Sequence, residues 1–133
     1  MENIKKILLT FVVVLAVASI ANAQKAKPWD APEKFKTMKN AVKSDEASIN
    51  AGKALFNKNC ASCHGKAGLG DGPKARGLET FPGDFSKADF QKQSDGELFF
   101  KTKTGREDMP KYDGKIDDEG VWQIVNFMRT LKK

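Results

Sequence analysis

Both cysteines and the only histidine of the chain lie within five consecutive residues, Cys60-Ala61-Ser62-Cys63-His64. Two thiols three residues apart lie on the same side of one helical turn, so both can add to vinyl groups on one edge of a haem. A histidine directly after the second cysteine is then held beneath the ring, where its imidazole can bind the iron. This spacing therefore indicates a covalently attached haem.

Three other kinds of site can be built from these residues. A structural zinc site needs four ligands, whereas Cys60, Cys63 and His64 supply three and the chain has no further cysteine or histidine. A thioredoxin-like redox pair usually follows a strand, but the residues before Cys60 have a helical pattern. A disulfide between the two cysteines would close a very small loop and leave the histidine without a role. Haem attachment is the favoured interpretation, and these three remain alternatives.

The N-terminal residues have the pattern of a secretory signal peptide. Two lysines precede an apolar run from Ile7 to Ile20, and the small-residue pattern Ala21-Asn22-Ala23 follows. The apolar run is shorter than the roughly 20 residues that a helix needs to cross a bilayer core. We therefore predict that residues 1–23 are removed on export to the periplasm and that the mature chain has no membrane span.

The remaining residues are enough for one small domain. Residues 24–43 are rich in lysine, proline and alanine, and we predict an extended arm there, either lying over the domain or mobile. Residues 44–133 form the predicted domain. The chain is basic, with a formal net charge of +6, but its lysines are spread among acidic residues. Because this pattern lacks the clustered cations of nucleic-acid readers, no nucleic-acid partner is expected.

Helix signals divide the domain into three main helices. Ser44 or Asp45 can cap a helix that runs into the haem motif, and Ser94 opens a capping box before a helix that Gly105 can end. Asp117 can cap a last helix with a strongly apolar face. No alternating strand pattern of useful length is present. The predicted fold class is all-α, with about three main helices and glycine-rich loops wrapped around one haem.

A second iron ligand must come from a residue other than histidine, and methionine is the obvious soft candidate. Met1 would be removed with the signal peptide, and Met38 lies in the predicted arm. Met128 lies on the apolar face of the last helix, where a side chain that fills the core is expected. Met109 lies among charged residues between two helices, and Pro110 holds it in extended geometry. Met109 is the predicted ligand, and a surface methionine on a mobile loop is the alternative.

From Ser44 to Lys132 the chain resembles a class I monohaem cytochrome c of the bacterial periplasmic type. The resemblance depends on four segments that occur in the family's order. They are Gly52-Lys53-Ala54-Leu55-Phe56 leading into the haem motif, Gly70-Asp71-Gly72-Pro73, Met109-Pro110, and Trp122-Gln123-Ile124-Val125-Asn126-Phe127-Met128-Arg129.

The resemblance implies a role for each matching residue. Cys60 and Cys63 would form the thioethers of one haem c, and His64 and Met109 would be the axial iron ligands. Pro73 would offer its carbonyl to the other nitrogen of the proximal imidazole, which fixes the ring. The resemblance also implies a set of pocket walls, namely Leu78, Phe85, Phe99, Tyr112 and Trp122.

A close crossing of the first and last helices is a further implication. In this family a glycine allows the contact, and here it would be Gly52 against Ile124 or Phe127. A larger residue at this glycine should push the helices apart.

An iron with both faces occupied can exchange an electron but has no open position for substrate. The expected function is therefore one-electron carriage between periplasmic or membrane-bound redox partners of a respiratory chain, by a monomer that is not itself an enzyme. Lysines such as Lys58, Lys66 and Lys111 could meet acidic faces on a terminal oxidase or a dehydrogenase. The alternatives are a haem-bearing subunit of a larger oxidoreductase or oxidase complex, and a ligand-binding or peroxidatic haem protein in which Met109 is labile.

Overall fold

The computed structural model describes residues 28–133, so the predicted signal peptide 1–23 and the start of the predicted arm 24–43 lie outside the described residues. Within the described residues the chain is helical, and its one extended pairing is an isolated antiparallel bridge between Arg106 and Met109. The helices are α1 (Glu33–Lys36), α2 (Glu46–Asn59), α3 (Ala61–His64), a 3-10 turn (Ala75–Gly77), α4 (Ala88–Gln91), α5 (Asp95–Thr104) and α6 (Asp118–Arg129). The predicted all-α class is confirmed.

The three long helices begin at caps that the sequence predicts. The side chains of Asp45, Ser94 and Asp117 each accept a hydrogen bond from the backbone N–H of the third residue of the helix, at 3.0, 3.2 and 2.9 Å. At the start of α5 the Glu97 carboxylate also accepts from the Ser94 N–H at 2.7 Å, which completes the capping box. Gly105, with a φ of 64°, ends this helix. Local sequence therefore sets these boundaries.

Helices α2 and α6 cross at Gly52 and form most of the core. A Cβ atom on Gly52 would lie 1.9 Å from the Gln123 carbonyl oxygen and 2.9 Å from the Ile124 nitrogen. The close crossing is therefore present, and the atoms nearest to Gly52 are backbone atoms of Gln123 and Ile124. The side chains that this crossing buries most completely are Phe56, Val121, Ile124 and Val125.

The arm lies on the domain from residue 28 onward. Ala31 is buried, and the Phe35 ring packs on Phe100 with 4.8 Å between ring centroids. The Asn40 amide donates to the Asn126 side-chain oxygen at 2.8 Å, which ties the arm to α6. Helix α1 is a single turn that the prediction of an extended arm did not include, because its packing on α5 is a tertiary contact with no local signal.

These contacts place the haem motif at the end of a supported helix. Helix α2 leads directly through Cys60 into the short helix α3, and α6 packs along α2. No helix within residues 28–133 has both the length and the apolar character needed to cross a membrane.

Candidate functional site

A cavity of about 300 Å³ opens beside the haem motif. Its walls come from the end of α2, helix α3, the loop at residues 78–85, helix α5, the loop at residues 106–110, and α6. The predicted site residues on these walls are Cys60, Cys63, His64, Leu78, Phe85, Met109 and Tyr112. The fold thus brings both cysteines, the histidine and the predicted methionine to one cavity.

Phe99 and Trp122 do not line the cavity, contrary to the implied assignment. Their rings stack on each other in the core, with centroids 4.1 Å apart. Leu98 and Thr102, four residues apart, share the cavity face of α5, and Phe99 therefore points to another face. Ile124 and Met128, four residues apart, lie on the face of α6 that lines the cavity, so the Trp122 side chain points to another face of this helix. Both assignments were wrong because the rotation of each helix about its axis directs the neighbouring residues, and not these two aromatic side chains, toward the cavity.

The haem motif forms a single tight turn. The Cys63 and His64 N–H groups both donate to the Cys60 carbonyl, at 3.2 and 3.0 Å. The two thiols are not joined in a disulfide. Burial, with a smaller contribution from Cys63, raises the pKa of the Cys60 thiol to about 12. A dithiol built for exchange has a lowered pKa, so this environment does not support the thioredoxin-like alternative.

The His64 ring lies among aromatic side chains, with its centroid 4.7 Å from that of Phe85 and 6.4 Å from that of Phe56. Burial lowers the pKa of this histidine, and the Pro82 backbone opposes it by a smaller amount. The imidazole is therefore neutral near pH 7, which is the form that binds a metal. Its Nδ1 atom is buried without a hydrogen bond among the described residues.

The backbone of Pro82, and not that of Pro73, lies close enough to this imidazole to raise its pKa. Pro82 lines the cavity, whereas Pro73 is exposed and lies outside it. Neither proline carbonyl accepts a hydrogen bond from the buried Nδ1 atom, which has no partner among the described residues. The glycine-rich loop carries two prolines, and its length decides which one reaches the ring.

The glycine-rich loop folds back on the motif and satisfies its carbonyl groups. The N–H groups of Gly70, Gly72 and Lys74 donate to the carbonyls of His64, Cys63 and Ser62, at 2.8, 3.2 and 2.8 Å. A Cβ atom on Gly72 would lie 2.5 Å from the Ser62 carbonyl oxygen, so a larger residue does not fit. The loop therefore fixes the turn that presents the two cysteines and the histidine.

Met109 is half-buried in a loop with tightly defined geometry. Arg106 and Met109 exchange two backbone hydrogen bonds, at 2.9 and 2.8 Å. Between them, Glu107 has a φ of 53°, the one positive value of a non-glycine residue among those described. An L-residue rarely adopts this conformation, so surrounding contacts must hold it.

Two side chains beside Met109 join its loop to the loop at residues 78–85. The Glu79 N–H donates to Asp108 Oδ2 at 2.8 Å, and the Thr80 hydroxyl donates to Glu107 Oε2 at 3.0 Å. We call these two hydrogen bonds the loop latch. They connect segments about 30 residues apart in sequence, and no local pattern predicts them.

Tyr112 connects the same loop to the haem motif. Its hydroxyl donates to the Asn59 carbonyl at 2.6 Å, at the last residue of α2. Burial first, and then the nearby Cys60 and Cys63, raise the pKa of this phenol to about 12, so it remains a hydrogen-bond donor.

Met128 also lines the cavity, so two thioether sulfurs are available. The Gln91 amide donates to the carbonyls of both Phe85 and Met128, at 2.7 and 3.0 Å. Gln91 thereby connects the backbone of Met128 to that of Phe85, whose ring packs on the His64 ring. Met109 comes from a separate loop.

Four cavity residues were not predicted from the sequence. They are the aromatic Trp29 and the polar or cationic Gln93, Lys101 and Arg106. The isolated tryptophan in a polar arm is the one sequence signal for them. The cations come from the end of α5 and the residues after it, where they read as ordinary surface charges.

The donors in the cavity fit a covalently attached haem. Two thiols, a neutral imidazole and two thioethers lie on walls that are otherwise largely aromatic and aliphatic. Within residues 28–133 no three or more histidine, cysteine or acidic side chains are grouped as a metal site, so the zinc alternative gains no fourth ligand.

Comparison with known proteins decides the family. The family model described as cytochrome c oxidase, cbb3-type, subunit III matches residues 47–128. The chain belongs to this family of c-type cytochromes. The cytochrome c domain implies covalently bound haem and electron transfer.

A solved structure has the same fold as this cytochrome c domain. It belongs to the reducing HAO-like protein complex of Kuenenia stuttgartiensis, with a TM-score of 0.65 and 24% identity over 80% of this chain and 52% of that chain. This chain therefore spans about half the length of that protein. A search of curated proteins found no match.

Proposed function

We propose that this cytochrome is a one-electron carrier with a single haem c, held by Cys60 and Cys63 and ligated by His64 and Met109. One observation carries the proposal: His64 and Met109 lie on separate walls of the cavity that also contains both cysteines. When bound, the haem supplies a one-electron iron couple. With His64 on one face of the iron and Met109 on the other, no coordination position would remain open for a substrate. This favours electron transfer over reactions that make or break bonds.

Phe56 and Phe85 support the proximal side of this site. Their rings pack around the imidazole and exclude water, and burial keeps His64 neutral. The Pro82 backbone lies close enough to the imidazole to oppose the fall in its pKa, and its carbonyl would accept a ring N–H, which would fix the ring's tautomer and orientation. On the distal side, the bridge at Arg106 and the loop latch would present the Met109 sulfur.

The loop latch gives a first prediction. Replacing Asp108 with asparagine weakens the bond to the Glu79 N–H, because a neutral amide oxygen is a poorer acceptor than a carboxylate. The Met109 loop then opens more often, and the affinity of the oxidised protein for added imidazole rises several-fold, as measured by optical titration. Asp89→Asn is the control, since Asp89 is a fully exposed acid outside the cavity. Equal imidazole affinity in D108N and wild type would refute the latch.

The remaining parts of the proposal concern the exported chain. Residues 1–23 would act as a cleaved signal peptide, and 24–43 as an arm on a domain at 44–133, located in the periplasm. The protein would act as a monomer that exchanges electrons with other redox proteins of a respiratory chain.

A second candidate function is that of a haem-bearing subunit in a larger oxidoreductase. The structural neighbour favours it, since that protein is a component of a complex. Gel filtration of native material distinguishes the two. A free carrier elutes as one small protein, whereas a subunit elutes with a dehydrogenase or oxidase.

A spectroelectrochemical titration of the purified protein tests the leading function. A carrier with both iron faces occupied gives one reversible one-electron curve, and its reduced form does not bind carbon monoxide. Rapid carbon monoxide binding would instead support the ligand-binding or peroxidatic alternative.

A further inference from the structure

The segment that carries Met109 leaves helix α5 and returns to it at a single residue, Lys103. Residues 105–113 form this segment, which we call the distal loop. The N–H groups of Tyr112 and Asp113, at its returning end, both donate to the Lys103 carbonyl oxygen, at 3.1 and 3.0 Å. Lys103 belongs to the last turn of α5 and therefore joins the two ends of the distal loop.

The side chain of Lys103 adds two ion pairs to this closure. Its Nζ atom lies 2.8 Å from Asp113 Oδ1, in the distal loop, and 2.6 Å from Asp118 Oδ1, in the first turn of α6. The lysine side chain is only 18% exposed, and an ammonium shielded from water depends on its partners more than one at the surface does. Hydrogen bonds to Asp113 and then to Asp118 raise the pKa of Lys103, so it stays charged at neutral pH.

The distal loop packs closely on its own base. A Cβ atom on Gly105 would lie 2.5 Å from both the Met109 carbonyl oxygen and the Lys111 nitrogen. Groups packed this tightly transmit displacements, so a shift at the base moves the Met109 backbone with it. The position of Met109 therefore depends on the closure at Lys103, in addition to the loop latch.

We infer that Lys103 is a positioning residue that closes the distal loop through Asp113 and Asp118 and thereby holds the Met109 sulfur at the iron. This inference rests on the proposed function, since it requires Met109 to be the second iron ligand. The Lys103 side chain does not line the cavity, so it acts through the loop and touches neither the haem nor its ligands. Opening of the distal loop is then limited by an ion-pair cluster outside the cofactor site.

Replacing Lys103 with methionine tests the inference. The variant keeps the backbone carbonyl but loses both ion pairs, so the distal loop should open more often. The affinity of the oxidised protein for added imidazole should rise several-fold, as measured by optical titration at about pH 8, where imidazole is largely uncharged. Lys103→Arg should restore the wild-type affinity, because a guanidinium can pair with both carboxylates. Lys92→Met is the control, since Lys92 is an exposed lysine that pairs with Asp89 outside the cavity.

Salt provides a measurement that a general loss of stability would not reproduce. Raising sodium chloride from about 10 mM to about 1 M shortens the screening length from about 30 to about 3 Å. Because the added imidazole is uncharged, screening acts on the ion pairs of the protein. We expect the wild-type affinity for imidazole to rise with salt and that of K103M to change little. Adding Asp113→Asn to K103M should give no further increase, because the two residues act as one pair.

The outcomes distinguish this closure from the proposed function. Equal imidazole affinity in K103M and wild type, with the methionine–iron band present in both, would refute the role of Lys103 and leave the carrier function intact. A wild-type affinity that does not change with salt would also refute it, even if K103M failed to fold. Absence of the methionine–iron band from the wild type would overturn the ligation by Met109 and this inference together.

Discussion

Replacing Gly52 with alanine is expected to destabilise the protein by about 3 kcal/mol or more, at the upper end of the range for overpacked cores. The added Cβ would lie 1.9 Å from the Gln123 carbonyl oxygen and 2.4 Å from its carbon. Both atoms are backbone of α6, so no side chain can rotate away. The helices must separate, and the core around Phe56 and Ile124 must loosen with them. Chemical denaturation monitored by circular dichroism measures the loss.

Gly77→Ala is the control for this substitution. A Cβ atom on Gly77 has no neighbour within 4 Å, so the same chemical change meets open space. We expect its free energy of unfolding to stay within about 0.5 kcal/mol of wild type, as for an ordinary surface substitution. An equal free energy of unfolding in G52A and G77A would contradict the close helix crossing.

Removing both haem attachment points is expected to leave the chain largely unfolded. The double variant Cys60→Ala, Cys63→Ala cannot form thioethers, so no covalently attached haem would fill the cavity of about 300 Å³. At about 24 cal/mol per Å³ of cavity, the loss approaches 7 kcal/mol as an upper estimate. A small domain has a total stability of about 5–15 kcal/mol. Far-ultraviolet circular dichroism should therefore show a loss of helix at 25 °C.

Ser62→Ala provides the comparison within the same motif. Ser62 lies between the two cysteines but does not line the cavity, so the haem should attach and the helices should persist. A double cysteine variant that unfolds cooperatively at the wild-type midpoint would mean that the polypeptide alone supports the fold.

Local signals predicted the helices because their ends depend on neighbours in sequence. Asp45, Ser94 and Asp117 bind N–H groups three residues away, and Gly105 supplies the positive φ that ends α5. The haem motif is equally local. These features require no knowledge of the tertiary structure.

The cavity walls were harder to predict because they depend on helix phase and loop length. Phe99 and Trp122 are aromatic and adjacent to wall positions, yet a rotation of one or two residues turns them into the core. Pro82 replaces Pro73 because the glycine-rich loop continues for nine more residues before it approaches the imidazole. Such positions follow from the folded loop and not from residue type.

Asn126 is a further residue that pattern reasoning could not place. It is buried within the apolar face of α6, and its amide donates to the Val42 and Lys43 carbonyls and to the Ser48 hydroxyl, at 3.2, 3.3 and 3.0 Å. Its side-chain oxygen accepts from Asn40. The arm is thus fastened by a polar residue within an apolar stripe, which the sequence alone gives no reason to expect.

Optical spectroscopy of the oxidised protein and two methionine variants tests the central claim most directly. Met109→Ala should lose the weak long-wavelength methionine–iron band, and its reduction potential should fall by tenths of a volt, within the roughly 0.8 V that axial ligands span. Met128→Leu should keep both, although Met128 also lines the cavity. A band that survives in M109A, or disappears in M128L, would contradict the assignment of Met109 as the second iron ligand.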